Sequence, residues 1–265
     1  MRGLLDLLFP ASCAGCGEPC DAPLCARCAA ALPRIARGAC ALCQEQRLAP
    51  ERALCAACVR RRSPLDACIA GTWFTDEAAA WIRRYKYPPR GLQAQSGQDR
   101  ARLRALLAVS TAWRPLSTPD CVVPVPLHAA RLRRRGFNPA TLLARQVARA
   151  AGAPIAHGAL ARTRDTPSQT GLGRAARRAN VRGAFRARRL DGASVWLVDD
   201  VVTTGATLEE CARVLRAAGA RKVAALCAAR TPLQAAAGGA QRAAGERSSE
   251  RETRIARAED FAGPR

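Results

Sequence analysis

Aromatic side chains make up only 4% of the 265 residues, with four Trp, two Tyr and five Phe. So thin a supply excludes extended base-stacking platforms of the kind that hold single-stranded nucleic acid by its bases. Lysine is scarcer still. Of 43 basic residues only Lys86 and Lys222 are lysines, so the formal charge of +22 is carried almost wholly by arginine. An arginine excess of this kind is consistent with GC-rich coding, yet a basic surface still favours polyanions, whether nucleic acid or phosphorylated metabolites. Long apolar runs are missing as well: Leu4, Leu5, Leu7 and Leu8 form a cluster broken by Asp6, too short for a signal-peptide core or a membrane span. The expected location is therefore the cytoplasm. A Gly-x-Gly-x-x-Gly dinucleotide fingerprint is also absent.

Cysteine, by contrast, is abundant, with 13 in the chain. Cys13 and Cys16, Cys25 and Cys28, Cys40 and Cys43, and Cys55 and Cys58 make four C-x-x-C pairs in the first sixty residues. In a cytoplasmic chain such pairs mean metal more often than disulfide. Two-residue spacing lets both sulfurs of a knuckle meet one tetrahedral ion, and two knuckles close a structural Zn²⁺ site with no open position for chemistry. The short intervals between knuckles allow either sequential or interleaved pairing. Cys20 is a ninth cysteine without such a partner. Zinc here either holds together a segment too small to fold alone or also presents the module to nucleic acid. Residues 1–63 are the expected zinc module, 64–231 an α/β domain, and 232–265 a disordered tail, since the tail is Ala, Gly, Arg, Glu and Ser with almost no apolar anchors.

The α/β domain is organised around Ser194 to Leu208. Val195 to Val198 is an uninterrupted apolar run that reads as a strand buried on both faces. It meets two adjacent carboxylates, Asp199 and Asp200, at the carboxyl end of a central strand, where open α/β sheets bind ligands. Val201 and Val202 follow, then Thr203, Thr204, Gly205, Ala206 and Thr207, then a helix with apolar spacing at Leu208, Cys211, Val214 and Leu215, ended by Gly219. Free N–H groups and threonine hydroxyls at a helix N-terminus hold a phosphate, and Gly205 lets backbone approach closely. Two carboxylates beside an anion must face something else, and ribose hydroxyls or a metal ion are the natural candidates.

Around this centre the chain alternates strand and helix. Asp66–Thr75 reads as a strand, Asp76–Tyr87 as a helix with acids in its first turn, 99–113 as a further helix, Cys121–Pro126 as a strand closed by prolines, and Lys222–Arg230 as a last buried strand. Asn138 and Pro139 are an N-cap and first residue for a helix running to about Ala151, with Gly152 behind it. Lys86 is either a solvated lysine or one chosen for its compact charge near a loop. Arg131, Arg133, Arg134 and Arg135 form either a solvated basic turn or an anion-facing one. Residues 162–182 have little apolar periodicity and read as either a mobile basic loop or a long exposed connection.

The Ser194–Leu208 stretch resembles the phosphoribosyl-pyrophosphate (PRPP) motif of type I phosphoribosyltransferases. The resemblance implies that Asp199 and Asp200 bind the ribose hydroxyls and that Val201 to Thr207 wrap the 5′-phosphate. With the four C-x-x-C pairs, Tyr85-Lys86-Tyr87, Val123-Pro124-Val125-Pro126, Arg134-Arg135-Gly136-Phe137-Asn138, the Thr166 to Gln169 loop and Arg177 to Phe185, the order is similar to the ComF/GntX family of competence-linked phosphoribosyltransferase-like proteins. That resemblance implies a type I phosphoribosyltransferase fold, a parallel sheet flanked by helices, joined to a small Cys₄-type zinc ribbon. It makes Lys86, Arg134, Arg135, Gln169 and Arg177 candidates for pyrophosphate or the closing loop, and implies Mg²⁺ with PRPP. Cys20, Pro88-Pro89 and the tail depart from the family pattern. The resemblance implies one of three roles: a transferase with PRPP and an acceptor, a PRPP-sensing regulator, or an accessory protein binding single-stranded DNA beside a competence helicase or other DNA-uptake proteins. Glutamine-dependent amide transfer is not expected, because no glutaminase domain is present and the second residue is Arg2.

Overall fold

A computed structural model describes residues 13, 15–22, 24–36, 38–45, 49, 52–86, 116–167 and 173–233. The helix expected over 99–113, Gln169 and the tail beyond Leu233 lie outside them. In chain order the elements are α1 (Ala26–Ala31), α2 (Ala56–Arg61), β1 (Ala67–Trp73), α3 (Asp76–Lys86), β2 (Cys121–Pro124), α4 (Ala129–Arg135), α5 (Pro139–Ala151), β3 (Leu160–Arg162), α6 (Arg174–Val181), β4 (Phe185–Ala187), β5 (Ser194–Val202), α7 (Ala206–Ala217) and β6 (Lys222–Arg230).

Four strands form a parallel sheet in the order β1-β6-β5-β2. Alternate side chains of the central strands face two different cores, because strand side chains have a period of two. Val195 and Leu197 join Val223, Ala225 and Cys227 against Leu208, Cys211 and Leu215 of α7. Trp196 and Val198 join Ala224 and Leu226 against Leu143, Ala144 and Val147 of α5 and Ile82 of α3. Burial on both faces is why this strand carries an unbroken apolar run. β3 and β4 pair antiparallel as a separate two-stranded sheet, with the Arg162 guanidinium 5.4 Å from the Phe185 ring centroid.

Helix α5 begins as its sequence dictates. The Asn138 side chain accepts from the Ala140 N–H at 3.1 Å, its amide donates to the Val125 carbonyl at 2.9 Å, Pro139 opens the helix, and Gly152 ends it in the left-handed region. Three expectations need correction. β5 continues through the acid pair to Val202 instead of stopping at Val198. The arginines after Pro126 are not a turn but the helix α4, capped by His128 and closed by Gly136 at φ +81°. Residues Arg174–Val181 of the supposed basic loop are the helix α6. Arginine and alanine are good helix formers without marking an apolar face, so periodicity missed both helices.

The cysteine module straddles the open edge of the sheet. The Cys68 N–H donates to the Ala41 carbonyl at 2.7 Å, Ala70 N–H to Gln44 Oε1 at 2.8 Å, and Trp73 N–H to the Pro33 carbonyl at 3.2 Å. Pro33 from the link between the clusters and the first knuckle of the second cluster thus cover the outer edge of β1, satisfying backbone donors that would otherwise offer a pairing template. Leu24 and Leu32 enter the α5-side core while Ile35 and Leu42 pack on the α7 side.

Candidate functional site

The eight paired cysteines form two separate clusters. Cys13, Cys16, Cys25 and Cys28 bring their sulfurs within 4.8 Å of one another, and Cys40, Cys43, Cys55 and Cys58 do the same. The pairing is therefore sequential. The two halves repeat one construction: Cys25 N–H donates to Cys13 Sγ at 3.2 Å and Cys55 N–H to Cys40 Sγ at 3.3 Å, and a six-residue helix carrying the fourth ligand follows each third cysteine. Burial raises the Cys13 thiol, but N–H groups of Cys16, Cys25 and Gly15 outweigh it and bring the thiol to about 6. Cys40 falls to about 6 in the same way, its burial opposed by the N–H groups of Cys43, Cys55 and Leu42. Burial and then contact with the other three sulfurs push Cys28 up to about 12. Four soft donors whose last proton is held by burial and by contact with the other sulfurs suit a dication at the centre, and a closed thiolate tetrahedron suits Zn²⁺. Gly15 is required by space, since a Cβ there would lie 2.7 Å from Cys28 Sγ and 3.0 Å from the Trp81 ring. Cys20 stands apart from both clusters, half-buried against the α5-side core.

The second centre lies at the carboxyl end of β5. Asp199, Val201, Val202, Thr203, Thr204, Gly205, Ala206, Thr207 and Leu208 line an open hollow at the start of α7. Gly205 is left-handed at φ +79°, a conformation that costs a side-chain-bearing residue free energy. It is the N-cap of α7 and has no side chain to accept from the helix's first N–H groups, though Thr204 Oγ1 accepts from Ala206 N–H at 3.4 Å. An N-terminus left this open, aligned with the helix dipole and rimmed by hydroxyls, has the free donors and the positive potential that suit an anion.

The acid pair is electrostatically loaded. Burial first, and then the neighbouring Asp200 charge, raise Asp199 to about 7, against the opposing pull of the Asp200 N–H, Lys86 and Arg162. Lys86 Nζ sits 2.8 Å from Asp200 Oδ2, so the lysine singled out in an arginine-dominated chain reaches the site. Arg177 donates to Thr203 Oγ1 at 2.6 Å, placing α6 over the turn. Arg134 is exposed and Arg135 half-buried in the last turn of α4. The arginine of that helix that reaches inward is Arg131, which pairs with Asp165 at 3.2 Å and donates to the Thr166 carbonyl. Arg162 was not legible as a site residue. It feels both Arg131 and Asp199, and burial first and then Arg131 lower its pKa; a lone arginine in a short strand carries no pattern that would reveal it.

The raised Asp199 pKa has a definite sign. An unfolded aspartate titrates near about 3.9, so between roughly pH 4 and 7 the folded state binds more protons and stability falls as pH rises. Urea unfolding of zinc-loaded protein without Mg²⁺ is expected to show that decline, of order 1–4 kcal/mol, and Asp199→Asn is expected to flatten it. Parallel profiles for the two proteins would show that Asp199 is already ionised throughout.

Comparison with known proteins bears on both centres. A phosphoribosyl transferase domain model matches residues 132–244 and a double zinc ribbon domain model matches residues 4–59. Competence protein F of Haemophilus influenzae is 30% identical over 230 residues, covering 84% of this chain and 91% of that relative. The chain belongs to the ComF family. DNA utilization protein YhgH of Escherichia coli K12 is 33% identical over 175 residues, covering 66% of this chain and 76% of that protein. The solved glutamine PRPP amidotransferase from B. subtilis is 28% identical at a TM-score of 0.36, over 55% of this chain and only 30% of that one, too limited a likeness for any argument. Within the family frame the cysteine clusters are the two zinc ribbons, and the parallel sheet with the acid pair is the phosphoribosyltransferase-type domain. Among the described residues no helix is long and apolar enough to cross a membrane.

Proposed function

We propose that this protein binds PRPP with Mg²⁺ at the carboxyl end of β5 and serves DNA uptake or use as a phosphoribosyltransferase-like protein of 1–63 zinc module, 64–231 binding domain and 232–265 tail. The observation that carries the reading is the hollow at the start of α7, which Asp199, three threonines and Gly205 line together, with Asp200 beside Asp199 in the chain. In this reading Asp199 and Asp200 hold the ribose hydroxyls and the 203–207 turn holds the 5′-phosphate. Lys86 neutralises Asp200 and lies ready for the pyrophosphate. Arg134, Arg135, Arg177 and the Gln169 segment supply further positive or polar reach. The acid pair fits a hard dication, because Asp199 is raised by excess negative charge as well as by burial; Mg²⁺ would screen the pyrophosphate. Should an acceptor attack C1 of the ribose, the carboxylates would stabilise the positive charge growing there and closure by the basic segment would exclude water.

Calorimetry tests the binding. The zinc-loaded wild type is expected to bind PRPP only with Mg²⁺, and Asp199→Asn with Asp200→Asn to weaken binding by about 100-fold or more. A folded, zinc-loaded wild type that gives no heat with PRPP and Mg²⁺ would sink the proposal. Pyrophosphate release with a screened acceptor then separates a transferase from a sensor.

A second reading, contact with single-stranded DNA, is favoured by the exposed arginines Arg182, Arg186, Arg188 and Arg189 that run through and around β4. With few aromatics such contact is to the backbone, and affinity should fall steeply and linearly on a log scale with salt.

A further inference from the structure

Glu209 is out of place. It lies in the first turn of α7, directly behind the turn read above as the phosphate site, and its N–H donates to the Gly205 carbonyl at 2.9 Å. A carboxylate there stabilises an empty helix N-terminus but repels an incoming phosphate. Two arginines hold it. Arg178 of α6 lies 3.1 Å from Oε2, and Arg61 of α2 pairs with Oε1. Arg61 comes from the other domain. It ends the six-residue helix whose third residue is the zinc ligand Cys58, and its guanidinium stands 3.8 Å from where a Cβ on Gly205 would lie. Cys43, Cys58, Arg61, Thr204, Gly205 and Glu209 all line one narrow crevice between the second ribbon and the back of the phosphate turn.

We propose that Arg61 is a positioning residue for the phosphate site: by neutralising Glu209 it makes anion binding at the 203–207 turn depend on the second zinc ribbon being metal-loaded. This inference rests on the reading of that turn as a PRPP phosphate site. A helix of six residues cannot persist alone in water, so α2 is held in place by Cys55 and Cys58 on the metal and by packing. When the second cluster loses its ion, α2 loosens, Arg61 leaves Glu209, and a carboxylate screened by Arg178 alone faces the phosphate. Zinc in this ribbon then supports the sugar-phosphate site without touching it.

Calorimetric titration with PRPP and Mg²⁺ of wild type, Arg61→Ala, Glu209→Gln and the double variant tests this, each protein first shown to hold two zinc ions and to keep its near-ultraviolet tryptophan signal. Arg61→Ala is expected to bind about 10-fold more weakly, the size of one partly screened charge at close range. Glu209→Gln is expected to bind at least as tightly as wild type, and the double variant to recover wild-type affinity, which a merely structural role for Arg61 would not produce. Partial chelation of wild type should lower affinity in step with zinc lost from the second cluster, while Glu209→Gln resists that loss. Undiminished binding by Arg61→Ala, or a double variant as weak as Arg61→Ala, overturns the inference while leaving the PRPP site standing. No PRPP binding by wild type overturns both.

Discussion

Removal of both zinc ions with a strong chelator is expected to unfold the first sixty residues and to drive the remaining domain into aggregation. The sulfurs of each cluster have almost no other reason to be together: among the described residues the second is a core of Cys40, Cys43, Cys55 and Cys58 with Leu42, Leu54 and Leu233 packed on it. Segments of this size rarely bury enough apolar surface to fold unaided. A structural zinc ion supplies about 10–16 kcal/mol of apparent binding free energy in small fingers, as much as the entire stability of an ordinary domain. The consequence reaches beyond the ribbons because the second ribbon and the link before it cover β1. Once Ala41, Pro33 and Gln44 leave, the N–H groups of Cys68, Ala70 and Trp73 are exposed along an edge strand, which is a template for intermolecular pairing. Metal analysis should find two zinc ions per chain, and light scattering on chelation should rise together with loss of circular dichroism. A chelated protein that stays monomeric with an unchanged melting temperature would show that packing alone holds the module.

Arg230→Met is expected to destabilise the protein by about 3 kcal/mol, because it strands carbonyl acceptors in the interior with no donor to replace the guanidinium. Arg230 ends β6 and is 3% exposed. Its Nε donates to Gln44 Oε1 at 3.0 Å, and Nη2 reaches the Leu42 carbonyl at 2.9 Å, the Cys68 carbonyl at 2.8 Å and Cys68 Sγ at 3.0 Å. One side chain thus ties the last strand, the edge strand and the second ribbon together. Methionine fills a similar volume but donates nothing, so the loss reports hydrogen bonds more than packing. Urea unfolding of zinc-loaded protein should give a lower midpoint, and limited proteolysis should cut first near 44–52, where the ribbon has lost its tether. A midpoint shift worth less than about 0.5 kcal/mol would place Arg230 among ordinary surface-like substitutions.

Local patterns made most of the architecture readable. The apolar run at Val195–Val198, the acids that follow it and the Thr-Thr-Gly turn announced strand, site and helix, since a doubly buried strand and an open helix N-terminus each demand particular residues at fixed offsets. Asn138-Pro139 and Gly152 marked both ends of α5 for the same reason. The helices α4 and α6 escaped because their arginine-rich faces pack little, so no period of 3.6 was imposed on them. The extension of β5 to Val202 escaped because its last residues alternate between partial and full burial, breaking the continuous apolar signal.

By itself the amino-acid sequence determined that eight cysteines must be shared among metal centres, that a carboxylate pair precedes a Thr-Thr-Gly turn opening a helix, and that a parallel α/β sheet carries them, because each of these is a requirement between neighbours along the chain. The tertiary structure alone decided that the clusters pair sequentially, that Lys86 meets Asp200, that Arg131 turns inward to Asp165 and Arg162 lies within reach of the Asp199 charge while Arg134 stays exposed, and that the ribbons seal β1. It also brought Arg61 to Glu209, 148 residues away, and Arg230 to Leu42, 188 residues away. Contacts across such separations depend on how whole elements pack, and no local spacing rule records them.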